Sequence, residues 1–202
     1  MGSLTANGGA EAAAGLRAQS KARRRALIQR TAMQLFAERG YDVATLADVA
    51  AAANVAPRTV TGYFASKSDL ALSHAEETCS RIIDAFTAHP DAGFFDVLEA
   101  WLREEERRSD PATAALAHAM YDANPSIQAL SSARVTQAFQ VGIAALVAEV
   151  GRPAEEPMMA VCCTVVPAAL AAYLALVAES GTTDELRQSF MTYLRVVIDA
   201  AR

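Results

Sequence analysis

Apolar positions along this chain recur at helical spacing and show no convincing run of strand-like alternation. Leu27, Ile28, Thr31, Leu35 and Phe36 make the inner face of a first helix, which runs to about Arg39 and stops at Gly40. Leu46, Val49, Ala50 and Ala53 follow at i, i+3, i+4 and i+7, the buried face of a second. That helix opens at Thr45, with Asp48 three residues on in the form of a capping box. It closes at Asn54, the commonest substitute for Gly at a left-handed helix stop. Pro57 suits the first turn of a third helix, where a missing N–H costs nothing. Val60 and Phe64 point inward from it, which turns Arg58, Thr59, Thr61, Gly62 and Tyr63 toward water. Ser66 and Asp69 cap a fourth helix, which carries Leu70, Leu72, Ile82, Ile83 and Phe86 from Lys67 to about residue 88. Tyr41 is expected to pack as an aromatic plug beneath these helices.

Further helices are predicted at about 93–108 (Phe94, Val97, Leu98, Trp101, Leu102), 111–122, 126–150, 155–179 and 183–201, about nine in all. Pro and Gly breakers separate them at Asp110-Pro111, Asn124-Pro125, Gly151-Arg152-Pro153 and Gly181. Residues 1–19 are Gly- and Ala-rich with few large apolar groups, so a disordered tail is expected. Residues 20–66 then form a small N-terminal domain and 67–202 a larger one, with 67–88 as the connecting helix.

Composition supports an all-α fold. With 52% apolar but only 6% aromatic residues, the core must be built mainly from Ala, Leu and Val, and Ala is the best helix former. Net charge is −5, which by itself argues against nucleic acid, but the charge is unevenly placed. Residues 1–70 hold nine Lys+Arg against five Asp+Glu (+4), and the remainder nine against eighteen (−9). The cationic part is therefore the one with the short capped helices, as counterion release from DNA requires. Three cysteines, Cys79, Cys162 and Cys163, make no disulfide framework, and no apolar leader opens the chain, so a cytoplasmic location is expected. Residues 157–178 are uncharged and long enough to span a bilayer. Pro167 interrupts them and their flanks are acidic, so no membrane is expected; a helix covered by its own domain and a partner subunit is.

Two short helices across a tight turn, with small polar and cationic groups on the second, describe a helix-turn-helix. Lys67, Thr45 and Tyr63 can supply phosphate contacts. Arg58 suits guanine, and the methyls of Thr59 and Thr61 suit thymine. The residue order goes further: LFAERGYDVATLADVA and VAPRTVTGYFASKSDL resemble the DNA-binding domain of the TetR (tetracycline-repressor) family, over about residues 21–72. The chain departs from the pattern at Ala56, where a capping Ser or Thr is usual, at Thr61, where Tyr is usual, and at Gly62. Gly inside a helix costs up to about 1 kcal/mol relative to Ala, so that helix is weak or its backbone closely approaches DNA. The resemblance implies double-stranded operator DNA as partner and a larger domain that binds a small effector. It also implies a homodimer through the last two long helices and, most often, a repressor. The Ala-rich 156–179 stretch suits such close helix pairing.

Other chemistry finds less support. No Ser/His/Asp constellation, paired carboxylates or phosphate-cradling Gly loop appears, so neither an enzyme nor a cofactor is expected. His118 and Asp122 lie four apart, half of a metal site at most, and none is expected. The run Arg103 to Arg108, REEERR, reads as a solvated helix face held by its own ion pairs. Adjacent Cys162 and Cys163 open an alternative, a redox-sensing regulator of the same fold; a helical adaptor without DNA binding is a further one. A thiol sensor needs nearby cations, and the nearest charges are Glu155 and Glu156. The aromatic and sulfur-containing groups Trp101, Met120, Tyr121, Phe139, Met159, Cys162 and Tyr173 are the candidates for lining an effector pocket, whose ligand would be mainly apolar.

Overall fold

A computed structural model describes residues 6–108, 110–181 and 183–202, with side chains from residue 14 onward. Ten helical segments are found among them, or nine if α7 and α8, which meet at Phe139, are counted as the one helix expected there. The all-α expectation holds throughout the described residues. The chain divides into two compact units after Ala71. Sequence alone put that boundary ahead of Lys67, but the buried Leu70 and Ala71 belong to the first unit.

The first unit comprises α1 (Ala6–Arg39), α2 (Leu46–Ala52), α3 (Pro57–Tyr63) and the start of α4 (Lys67–Ala88). Its buried side chains include Ile28, Met33, Phe36, Val49, Val60, Phe64 and Leu70. Two expectations are corrected here. The tail expected to be disordered to residue 19 is helical from Ala6, and only residues 1–5 of it lie outside the described residues. Leu27, assigned to the inner face, is 50% exposed while Ile28 is fully buried. Neighbours on a helix diverge by about 100°, and of this pair only Ile28 falls on the packed side. Gly40 ends α1 with φ of 86°, its N–H bonded to the Phe36 carbonyl at 3.1 Å. Tyr41 meets the Phe36 ring edge-on at 5.4 Å, the plug the sequence implied.

The second unit holds the rest of α4 with α5 (Phe94–Arg108), α6 (Pro111–Ala123), α7 (Pro125–Ala138), α8 (Gln140–Val150), α9 (Pro157–Ser180) and α10 (Asp184–Asp199). Its core joins Phe94, Leu98, Trp101, Phe139, Leu146, Met159, Leu170, Phe190 and Leu194. All five apolar residues predicted for α5 are buried, whereas Ile83 of α4, also predicted to face inward, lies at 36% exposure. Gly142 lets α8 approach the Phe86 ring, since a Cβ there would stand 3.1 Å from Phe86 Cε2. Thr183 caps α10 by accepting the Leu186 N–H at 3.0 Å.

α9 buries Met159, Cys162, Val166, Pro167, Leu170 and Tyr173 on one side, while Met158, Val161 and Leu176 are exposed on the other. By length and composition alone it could cross a membrane, and 28% of its most apolar stretch is buried. The REEERR segment is only partly the self-paired face expected. Glu104 does pair along its own helix with Arg107 and Arg108, at 2.6 Å each. Glu105, however, pairs with Arg81 of α4, and Glu106 pairs with the buried Arg187 of α10 and accepts the Tyr173 hydroxyl of α9 at 3.0 Å.

Candidate functional site

The geometry of the α2–α3 pair follows from its caps. Thr45 Oγ1 accepts the Asp48 N–H at 3.1 Å, and Asp48 Oδ2 accepts the Thr45 N–H at 2.8 Å, closing the capping box. The Thr45 hydroxyl also donates to Asp48 Oδ2 at 2.6 Å, and these bonds, the hydroxyl first, hold the Asp48 carboxyl below its ordinary value. At the other end Asn54 takes φ of 53°, with its N–H on the Ala51 carbonyl and that of Val55 on the Ala50 carbonyl, a Schellman closure. Pro57 then opens α3 as its first residue, and Ala56 supplies no side-chain cap. Fully buried Val60 and nearly buried Phe64 lock α3 to the unit.

That orientation leaves Arg58, Thr61 and Gly62 exposed and Thr59 and Tyr63 half-buried. The structure therefore keeps all five on or near one outer surface, with Arg58, Thr61 and Gly62 most available. The Thr61 hydroxyl donates to the Arg58 carbonyl at 3.2 Å, within its own helix. Around Gly62 no atom lies within 4 Å of where a Cβ would stand. Both donors of Thr45 are spent inside the capping box. Lys67 is half-buried: its ammonium lies 4.3 Å from the Tyr41 ring centre and 3.5 Å from the Asp42 carbonyl, to which it donates.

Lys21, Arg23, Arg24 and Arg25 stand close together in α1. In the fold the Arg25 guanidinium sits 4.7 Å over the Phe64 ring, whereas the other three are exposed. Arg23 and Arg24 line an open groove of about 680 Å³ with Ser20, Leu27, Asn54, Ala56 and Thr59. Periodicity did not reveal this groove, because it forms between the middle of α1 and a turn some thirty residues away.

In the second unit, Trp101, Phe139, Met159, Cys162 and Tyr173 belong to one apolar cluster, and Met120 and Tyr121 of α6 lie outside it. Trp101 Nε1 is buried with no acceptor among the described residues. Tyr173 stacks on Phe190 at 4.4 Å. Burial pushes the Cys162 and Cys163 thiols up, and Cys162 Sγ lies 3.4 Å from the Val197 carbonyl. This is the reverse of what a reactive thiolate requires. His118 Nε2 lies 2.8 Å from Glu179 of α9 and 3.2 Å from Asp122 of its own helix, a polar contact that joins α6 to α9. Among the described residues no group of three His, Cys, Asp or Glu could hold a metal ion.

Residues 28–73, which contain α2, α3 and both flanking packing surfaces, match the family described as bacterial regulatory proteins, tetR family. A comparison with curated proteins finds no match. In fold the chain is similar to a transcriptional regulator described as TerR/AcrR family from Aquifex aeolicus VF5. That likeness has a TM-score of 0.55 at 16% identity and covers 86% of this chain and 99% of that one. It is similar also to Salmonella enterica GusR, with a TM-score of 0.54 at 20% identity over 87% and 95% of the two chains. A third likeness, with a TM-score of 0.51 at 21% identity over 87% and 96%, is to a structure reported as the molecular basis for control of antibiotic production by a bacterial hormone. Residues 28–73 thus match the N-terminal domain of the tetR family of bacterial regulatory proteins, and the chain has a fold similar to that of these three proteins.

Proposed function

We propose that the protein is a non-enzymatic, cytoplasmic, ligand-responsive regulator that grips operator DNA as a homodimer and is released by a small, mainly apolar effector. The observation that carries this reading is the outer surface of α3. It presents Arg58, Thr61 and an open Gly62 on the cationic unit, while Val60 and Phe64 fix its orientation from below. A guanidinium fork and short hydroxyl and methyl groups are the chemistry that base edges in a major groove demand. Thr59 and Tyr63, half-buried beside them, fit the rim of such a contact, and Lys67 its phosphate edge. Thr45 reaches phosphate only if its capping box opens.

Among the described residues, five of the ten large exposed apolar side chains, Met158, Val161, Leu176, Tyr193 and Val196, lie on α9 and α10. This surface supports pairing of two copies through those helices, and it accounts for the apolar stretch of α9 without a membrane. Two copies so paired set recognition helices in successive major grooves, about 34–36 Å apart. An effector seated among Trp101, Phe139, Met159, Cys162 and Tyr173 meets apolar walls and one unsatisfied donor, Trp101 Nε1. An apolar molecule with a single hydrogen-bond acceptor fits this lining, and Met120 and Tyr121 of α6, outside the cluster, are the further candidates. To empty an operator nearly full, the effector must prefer the non-binding state by about 10⁴-fold.

Fluorescence anisotropy with labelled DNA from upstream of the gene tests the reading. Wild type should bind tightly, and Arg58→Ala should cost about 1–3 kcal/mol while relaxing base preference at one position per half-site. Unchanged affinity and preference in Arg58→Ala would remove Arg58 as a reader. A wild type indifferent to duplex at low salt would end the DNA-binding reading.

A further inference from the structure

The first helix carries more charge than its packing explains. Between Glu11 and Glu38 stand Arg17, Lys21, Arg23, Arg24, Arg25 and Arg30, with no acidic residue among them. α1 runs through all of them unbroken, and every side chain from residue 14 to residue 24 is exposed. Arg17, Lys21 and Arg24 share one face at i, i+4 and i+7, a row about 10 Å long at 1.5 Å per residue. Like charges at this spacing destabilise a free helix, so the segment gains stability from whatever neutralises it. At its inner end Arg23 and Arg24 face Asn54, Ala56 and Thr59 across the open groove, beside the recognition helix.

We infer that the part of α1 ahead of the family-matched residues is a second DNA-contacting element, a cationic helix lying along the phosphate backbone that flanks the major-groove site. One phosphate is seated in the groove between Arg23, Arg24 and Thr59, and Arg17 and Lys21 follow the strand outward. This rests on the DNA-binding reading above and adds to it a contact that positions without reading bases. Duplex DNA suits the row because it offers a continuous line of charge, one per about 1.7 Å of axis. Arg25, held over Phe64, takes no part.

The test is the salt dependence of binding to a mixed-sequence duplex, using the full-length chain. Arg17→Ala, Lys21→Ala, Arg23→Ala and Arg24→Ala should each flatten the slope of log K against log salt by about 0.9, and the quadruple variant by roughly two to four. Arg17→Lys, Arg23→Lys and Arg24→Lys should keep the wild-type slope. Preference among duplex sequences and the thermal midpoint should not fall in any of them. If the combined variant loses helix content, the single variants decide. A wild-type slope in the alanine variants overturns the inference while leaving α3 as the reader; a wild type that ignores duplex overturns both. Vesicles of anionic phospholipid are the competitor. Duplex should stay bound in their presence, and displacement through these same residues would mark a lipid-facing surface and sink the inference.

Discussion

At the scale of single residues, Gly62 and Asp48 separate what the fold needs from what DNA needs. A Cβ at Gly62 meets nothing within 4 Å. Gly62→Ala should therefore stabilise α3 by up to about 1 kcal/mol, read as a higher thermal midpoint. If the bare backbone closely approaches DNA, the same variant binds duplex more weakly, and that opposition of signs is the expected result. A variant more stable and equally tight would mean that Gly62 is only a weak spot in the helix. Asp48 titrates below its ordinary 3.8 because Thr45 donates to it twice. A depressed carboxyl adds stability that is complete above the unfolded value and disappears as pH falls through the folded one. The capping box should thus contribute fully near neutrality and fail progressively below about pH 4. Unfolding curves of wild type and Asp48→Asn should accordingly differ at pH 7 and converge toward pH 2.

At the scale of elements, the contact from Glu106 to Arg187 and Tyr173 joins α5, α9 and α10 through a guanidinium only 4% exposed. Removing one partner of a buried pair strands the other, so Arg187→Met should cost about 3–5 kcal/mol in urea unfolding. The double variant Glu106→Gln/Arg187→Met should recover part of that loss. Nothing in REEERR announces this pairing, because its partners stand 67 and 81 positions away and charge spacing reports only neighbours on one helix. The caps at Thr45, Asn54, Ser66 and Thr183 were legible for the opposite reason: their donors and acceptors lie within five residues of one another. Leu27 and Ile28 show a middle case. Both are apolar and adjacent, and only the packing of α1 against α2 chooses between them. The break at Phe139 carries no Gly or Pro to mark it, and helical bonds flank it on both sides, from Phe139 to Val135 and from Ile143 to Phe139. The start of α1 was missed because glycines 8, 9 and 15 argue for coil, and composition cannot see a helix continued from its ordered end.

At the scale of the whole molecule, the candidate DNA surface was readable from sequence because a reading helix must show its chemistry outward. The proposed effector region was not, because pocket and core use the same apolar residues, and its candidates divide between the main cluster and α6 only in three dimensions. The proposed pairing surface lies between these extremes, with its apolar excess visible in α9 and its direction visible only once Met159, Val166 and Leu170 are known to face inward. Val161 and Val196, 47% and 66% exposed, are the positions at which charge should act on association without touching the core. Val161→Arg/Val196→Arg should retain helix content and thermal midpoint measured at low concentration, yet elute as a single subunit where wild type elutes as two. Its salt slope per subunit on mixed-sequence duplex should persist, since each head keeps its own cations. Its affinity for a two-half-site operator should collapse toward that of one head, because the second contact is no longer intramolecular. A variant that still elutes as two would move the pairing surface off α9 and α10. A wild type that elutes as one would leave the exposed apolar face of α9 without its proposed cover.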